Sequence, residues 1–257
     1  MFLICSFSWA NTSTEIIKAY DIRSYSPLKK GIRELSFEVR IDGLGKKIND
    51  QKNFGIVNDL HFKVHWALGK EVEISVEGMD QGFNKIKEEL INTYIRPRLE
   101  LVIPIPLSDK FKDYQHKLLD SKNDEKRILA IDPKGINSVY EIIFVFSKNG
   151  QLKSMNSHSS FGSEYSTLSL GETAWSDGKW VVLKVKSEFS QENGPQENLV
   201  DIEYISIEGI GLPKTVIIKQ QLILPEKLKK NIKEVHPLET KIIFSNYQLN
   251  SKINKIK

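Results

Sequence analysis

Cysteine is almost absent: Cys5 is the single one in 257 residues. It lies in the apolar opening stretch, so a chain processed beyond residue 10 holds none. That excludes a disulfide framework, a thiolate metal site and thiol catalysis. Long apolar runs are missing as well, and no transmembrane segment is expected in the mature chain. Charge of one sign is not in excess, since 37 basic and 33 acidic residues leave a formal net charge of +4. Basic residues interleaved with stacking aromatics, the footprint of a nucleic-acid surface, do not occur. Lysine clusters such as Lys227, Lys229 and Lys230, or Lys252, Lys255 and Lys257, read as solvated surface. Nor is there a Gly-x-Ser-x-Gly elbow, a phosphate loop, a His-Glu-x-x-His pair or a Gly-x-Gly-x-x-Gly turn. No catalytic residue, metal ligand or cofactor is assigned, and the chain is not expected to be an enzyme.

What the sequence does carry begins with MFLICSFSWA, an apolar stretch ending Ser8-Trp9-Ala10 before polar Asn11-Thr12-Ser13. Small residues at the last and third-last places match a secretory cleavage site. Residues 1–10 therefore read as the remnant of an export signal that lacks its basic start, and the expected location is the periplasm. Ile4 is bulkier than lipoprotein signals permit before a lipid-bearing cysteine, which argues against an anchor at Cys5.

The stretch LHFKVHWALGKEVEISVEGM places Leu60, Phe62, Val64 and Trp66, then Val72, Ile74 and Val76, at every second position. Successive side chains of a strand point to opposite faces, so this is a hairpin with one apolar and one polar side. RELSFEVRIDG alternates in the same way through Leu35, Phe37, Val39 and Ile41. Before it, Thr12-x-x-Glu15 forms a capping box for a short helix carrying Ile16, Ile17 and Tyr20. A polar loop joins the first strand to the hairpin.

After the hairpin the period changes. Phe83, Ile86, Leu90, Ile91 and Tyr94 recur at three-four spacing, a one-sided helix that Pro97 is expected to end. LELVIPIPL then reads as extended, and SDKFKDYQHKLLDSKNDEKR as a second, weaker helix. From Ile128 onward seven or eight strands follow, separated by turns at Asn149-Gly150, Asp177-Gly178 and Asn193-Gly194-Pro195. No linker, repeat or low-complexity tract divides the chain. The expected organisation is one domain over residues 11–224 with a helical insertion at about 79–120, then a C-terminal extension at 225–257 with one possible strand.

A sheet with one apolar face must cover it, and the two amphipathic helices are the available cover. The expected fold class is α+β, mainly β: a curved antiparallel sheet forming an unclosed half-barrel, with helices over its concave face. Such a shell encloses an interior that its own side chains need not fill.

Two groups resemble sites and are set aside. His61 and His65 share a strand face but lie roughly 13 Å apart along extended chain, too far to chelate one zinc alone. Glu71, Glu73 and Glu77 line one polar face with nothing to split their acidities. The tryptophans are more informative: Trp66 is on the apolar face of the hairpin, and Trp175 and Trp180 flank the Asp177-Gly178 turn. Aromatics so placed either pair across a hairpin to hold its register or line a ligand cavity. The candidate ligand-binding residues are Phe37, Val39, Phe62, Val64, Trp66, Phe144, Phe146 and Trp180.

The order of export signal, helix, LSFEVRI and LHFKVHW strands, helical interruption and late block VYEIIFVFSKNGQL, AWSDGKWVVLKVKSEF, VDIEYISIEGIGLPKTVIIK resembles the LolA/LolB-like superfamily of periplasmic lipoprotein carriers. The likeness is concentrated in Ile128 to Leu224, including Tyr204, Gly209 and Leu212-Pro213. It implies an unclosed β-barrel whose helical lid encloses acyl chains of a lipid or lipoprotein, with a possible envelope protein as partner. The alternative is a non-enzymatic structural or assembly protein whose core is filled by its own side chains.

Overall fold

The computed structural model describes residues 12–50, 57–122, 124–190, 194–223 and 237–250. The export stretch with Cys5 and Trp9, the Lys227–Lys230 and C-terminal lysine clusters, and Asn193 lie outside the described residues. Helix α1 spans Ser13–Arg23, and its capping box is formed as its sequence requires: Thr12 Oγ1 accepts from the Glu15 N–H, and the Glu15 carboxylate accepts from the Thr12 N–H. Strand β1, Glu34–Ile41, buries every second residue. What reads as a polar loop after it contains a short helix, α2 (Leu44–Asp50), which turns Leu44 and Ile48 inward. Strands β2 (His61–Ala67) and β3 (Glu73–Glu77) complete the opening hairpin.

The helical interruption differs from its sequence reading at three points. Helix α3, Asn84–Leu90, does not stop at Pro97 but runs through a π turn (Ile91–Ile95) and a 3-10 turn (Arg96–Arg98) into α4, Leu99–Val102. Pro97 sits in the first turn of its segment, where its missing N–H is no loss. The helical turn of α4 also replaces part of the stretch expected to be extended. The second expected helix is reduced to one turn, α5 (Leu107–Lys110). The rest of that stretch is strand β4, Gln115–Lys122, paired with β5 from Gln115↔Ile131 to Lys122↔Glu125. Pairing to an available sheet edge overrides a weak helical period.

Strands β5 (Glu125–Ile131), β6 (Val139–Phe146), β7 (Leu152–Ser159), β8 (Gly162–Gly171), β9 (Val181–Ser190), β10 (Gln196–Ile207) and β11 (Ile210–Leu222) form the expected meander. The stretch after residue 224 supplies β12, Leu238–Leu249, which stands between β1 and β11 and joins the opening hairpin to the meander. All twelve strands belong to one antiparallel sheet ordered β3-β2-β1-β12-β11-β10-β9-β8-β7-β6-β5-β4. Strands β3 and β4 are its free edges, so the barrel is unclosed. Register shifts in the β1–β12, β10–β11, β6–β7 and β8–β9 ladders bend it, because each bulge adds local twist.

Candidate functional site

The buried residues of the inner face divide into two clusters. One gathers β1, β2, β10, β11 and β12 under the segment from α3 to α4. The other gathers Ile128, Ile142, Phe144, Phe146 and Leu152 under α1 and Phe111. Strand register explains the first, since Phe37 lies opposite Val64, Val39 opposite Phe62, and Leu35 opposite Trp66. The eight candidate residues are accordingly all buried but not all together: Phe37, Val39, Phe62, Val64 and Trp66 belong to the first cluster, and Phe144, Phe146 and Trp180 to the second.

Trp175 and Trp180 take separate partners instead of holding one hairpin. The Trp180 ring lies 6.1 Å from that of Tyr20, whereas Trp175 packs on Tyr25 at 4.8 Å and Tyr204 at 5.3 Å. Burial raises the Tyr204 hydroxyl far above its usual acidity range, and that hydroxyl donates to the Val182 carbonyl at 3.0 Å.

The two helical covers are attached differently. Helix α1 is tied down: the Trp180 N–H donates to the Arg23 carbonyl and the Tyr25 N–H to the Trp180 carbonyl, both at 2.8 Å. The Arg23 guanidinium lies 4.0 Å from the Trp180 ring centroid, a cation–π contact. Asp21 accepts the N–H groups of Leu107 at 2.8 Å and Ser108 at 2.9 Å, capping α5. The α3–α4 cover is another matter. Among the described residues its hydrogen bonds run within the segment, to Phe83 before it, or from Lys110 to Glu100. Its contact with the sheet is apolar, through Leu90, Ile95 and Val102.

Among the described residues, the space beneath this cover is nearly closed. A gap of about 10 Å³ remains between Phe37, Val39 and Phe244 of the sheet and Tyr94, Ile95, Arg98, Leu99 and Val102 of the cover, little more than one water position. Arg98 borders this gap. One guanidinium nitrogen donates to the Thr93 and Tyr94 carbonyls at 2.9 Å, while its Nε is buried without a partner among the described residues. Burial lowers its affinity for a proton. Arg98 is not among the residues the sequence singles out, because Pro97 predicts a helix end just before it. The available signal was its place four residues after Tyr94, within the apolar stripe that continues to Leu99 and Val102.

The outer face carries an open trough of about 430 Å³ over β12, β1, β2 and β3. It holds polar cross-strand pairs: Ser36 Oγ lies 2.9 Å from His65 Nδ1, whose other ring nitrogen is 3.7 Å from Glu34. His61 instead contacts Asp59, so the two histidines have separate partners. No helix among the described residues is long and apolar enough to cross a membrane.

These features define a class: a single curved antiparallel sheet, unclosed, whose apolar inner face is covered by helices. No family model matches the sequence, and no curated protein matches it. Among solved structures, that of a LolA superfamily protein from Nitrosomonas europaea is similar over 93% of this chain and 94% of that one, with a TM-score of 0.33 and 11% identity.

Proposed function

We propose that this protein is an exported, periplasmic, non-enzymatic carrier that shields the acyl chains of a lipid or lipoprotein against the inner face of its sheet. The observation that carries the reading is that, among the described residues, the α3–α4 cover meets the sheet itself through apolar side chains, its polar tie outside the segment being to Lys110 of α5. Side-chain burial is non-directional, so acyl chains can replace the cover on Phe37, Val39 and Phe244 without leaving backbone groups unpaired. Each methylene so buried contributes about 0.8 kcal/mol. The π and 3-10 turns within the cover, with an Arg98 Nε that has no partner among the described residues, make it the less regular of the two helical segments. Loading then requires the cover to lift, because the gap beneath it is too small for a chain.

That closed gap favours a second reading, an envelope assembly protein with a self-filled core and a protein partner. Two measurements separate the readings. A carrier purified from an envelope retains extractable lipid and binds a fluorescent fatty acid that unlabelled lipid displaces. Lipid-free extracts with no dye binding, together with one stoichiometric protein partner, would establish the assembly reading instead.

A further inference from the structure

The cover over the first cluster carries a cation without a counter-charge. Arg98 lines the gap above β1 and β12 together with Phe37, Val39, Phe244, Leu99 and Val102, whose side chains offer it no acceptor. Tyr94 lines the gap as well, and Arg98 reaches its carbonyl, not its hydroxyl. The carboxylates of the cover are turned elsewhere: Glu88, Glu89 and Glu100 are exposed, and Glu100 pairs with Lys110 at 2.7 Å. Among the described residues Arg98 makes no ion pair, and no carboxylate offsets its charge. A guanidinium stays ionised in proteins, so half-burying it leaves a charge that is costly to hold alone.

The guanidinium is held so that one edge of its fork is left over. Both of its bonds come from Nη1, which donates to the Thr93 and Tyr94 carbonyls at 2.9 Å. Nη1 carries two hydrogens, and both are then used. The opposite edge, Nε–H beside one Nη2–H, donates to none of the described residues. Nε is buried there, whereas Nη2 is not enclosed and reaches solvent. A buried donor left unmade costs its full desolvation penalty. Thr93 and Tyr94 in the π turn and Arg98 in the 3-10 turn belong to one continuous segment, so the edge keeps its orientation when the cover leaves the sheet.

We propose that this edge of Arg98 receives the head group of the carried amphiphile, and that the head is an oxyanion, a carboxylate or a phosphate. An oxyanion accepts both hydrogens of the edge in parallel and neutralises the charge in the same contact. A hydroxyl or amide oxygen accepts a hydrogen but leaves the charge unmet, and an ammonium is repelled. The place suits the junction between head and chain. Phe37, Val39 and Phe244 border the gap on the sheet side, where a chain would lie, and Nη2 reaches the water that a charged head keeps. This inference rests on the carrier reading and adds the charge of the ligand's polar end.

The test uses the full chain at neutral pH and an uncharged dye, N-phenylnaphthylamine, because an anionic probe would itself occupy Arg98. Three amphiphiles of matched chain length displace it below micelle-forming concentrations: dodecanoate, dodecyl phosphate and dodecyldimethylamine oxide, an acceptor without net charge. At least one anion should displace the dye at about tenfold lower concentration than the amine oxide, the return expected of one charge-assisted hydrogen bond. The more potent of the two anions names the head. Arg98→Met, which keeps an unbranched apolar stem, should bring anion and amine oxide to within about twofold, while Arg98→Lys, which keeps the charge but not the fork, should retain part of the preference. Circular dichroism verifies the fold of each variant. Equal potency on the unmodified protein, or a preference that survives Arg98→Met, overturns the head-group assignment and leaves the carrier reading standing. Failure of the dye and all three amphiphiles to bind removes the carrier reading itself.

Discussion

Replacing Phe62 with alanine tests whether the inner face is packed or vacant. Phe62 is 0% exposed and sits on β2 between Val39 of β1 and Val76 of β3, its direct cross-strand partners. Nothing nearby can move in cheaply, because those partners are branched residues held in a regular ladder and the gap under the cover is already only about 10 Å³. Truncation thus creates a new cavity instead of enlarging an existing one. A phenylalanine removed from such a place costs about 3–5 kcal/mol. For a chain of this size each kcal/mol moves the melting temperature by about 2–4 °C, so Tm should fall by about 6–20 °C. Urea unfolding followed by tryptophan fluorescence gives the same loss as a shift in midpoint at constant slope. Phe62→Met, which refills most of the volume, should cost about half as much or less. A loss below about 1 kcal/mol for Phe62→Ala would refute the packing argument. It would mean that the hollow inferred from sequence exists in solution.

Two further outcomes are expected. A Cβ added at Gly211 would lie 2.1 Å from Cε3 and Cζ3 of Trp175. Gly211→Ala should therefore displace that indole from Tyr25 and Tyr204, lowering stability by about 1–3 kcal/mol and reducing the near-ultraviolet circular dichroism; an unchanged spectrum and midpoint would contradict it. Asp132 accepts from the Asn137 N–H at 2.7 Å, the Lys134 N–H at 2.9 Å and the Asn137 side-chain amide at 2.9 Å, which holds its pKa below the usual carboxylate value. Its stabilisation of the β5–β6 turn is thus complete above the unfolded value near 4 and lost as pH falls through the lower folded one. Amide exchange at Lys134 and Asn137, corrected for intrinsic rates, should accelerate in that acid window, and Asp132→Asn should remove the pH dependence.

The order of elements could be read locally because each signal involves only neighbouring residues. Thr12 and Glu15 cap α1 wherever the helix ends up, and the alternation from Leu35 to Ile41 requires a half-buried strand whatever its partner. The stretch Gln115–Lys122 shows the limit of such reading. Its residues suit a weak helix, and only the free edge of β5 made it a strand. Pro97 misled in the same way, since packing of Ile95 and Val102 onto the sheet carried the helical path past it.

Sequence by itself determined that this chain forms amphipathic strands and a few one-sided helices, because side-chain periodicity follows directly from backbone geometry. It could not determine which strands meet. Placing β12 between β1 and β11 brings residues about two hundred positions apart into register, and such pairing depends on the whole sheet. Separation in sequence also hid the packing of Trp175 on Tyr25 and Tyr204 and the closure beneath Arg98. Both arise from residues on separate elements, whose accessible space and unmet hydrogen bonds exist only once the sheet has curved and its cover has settled.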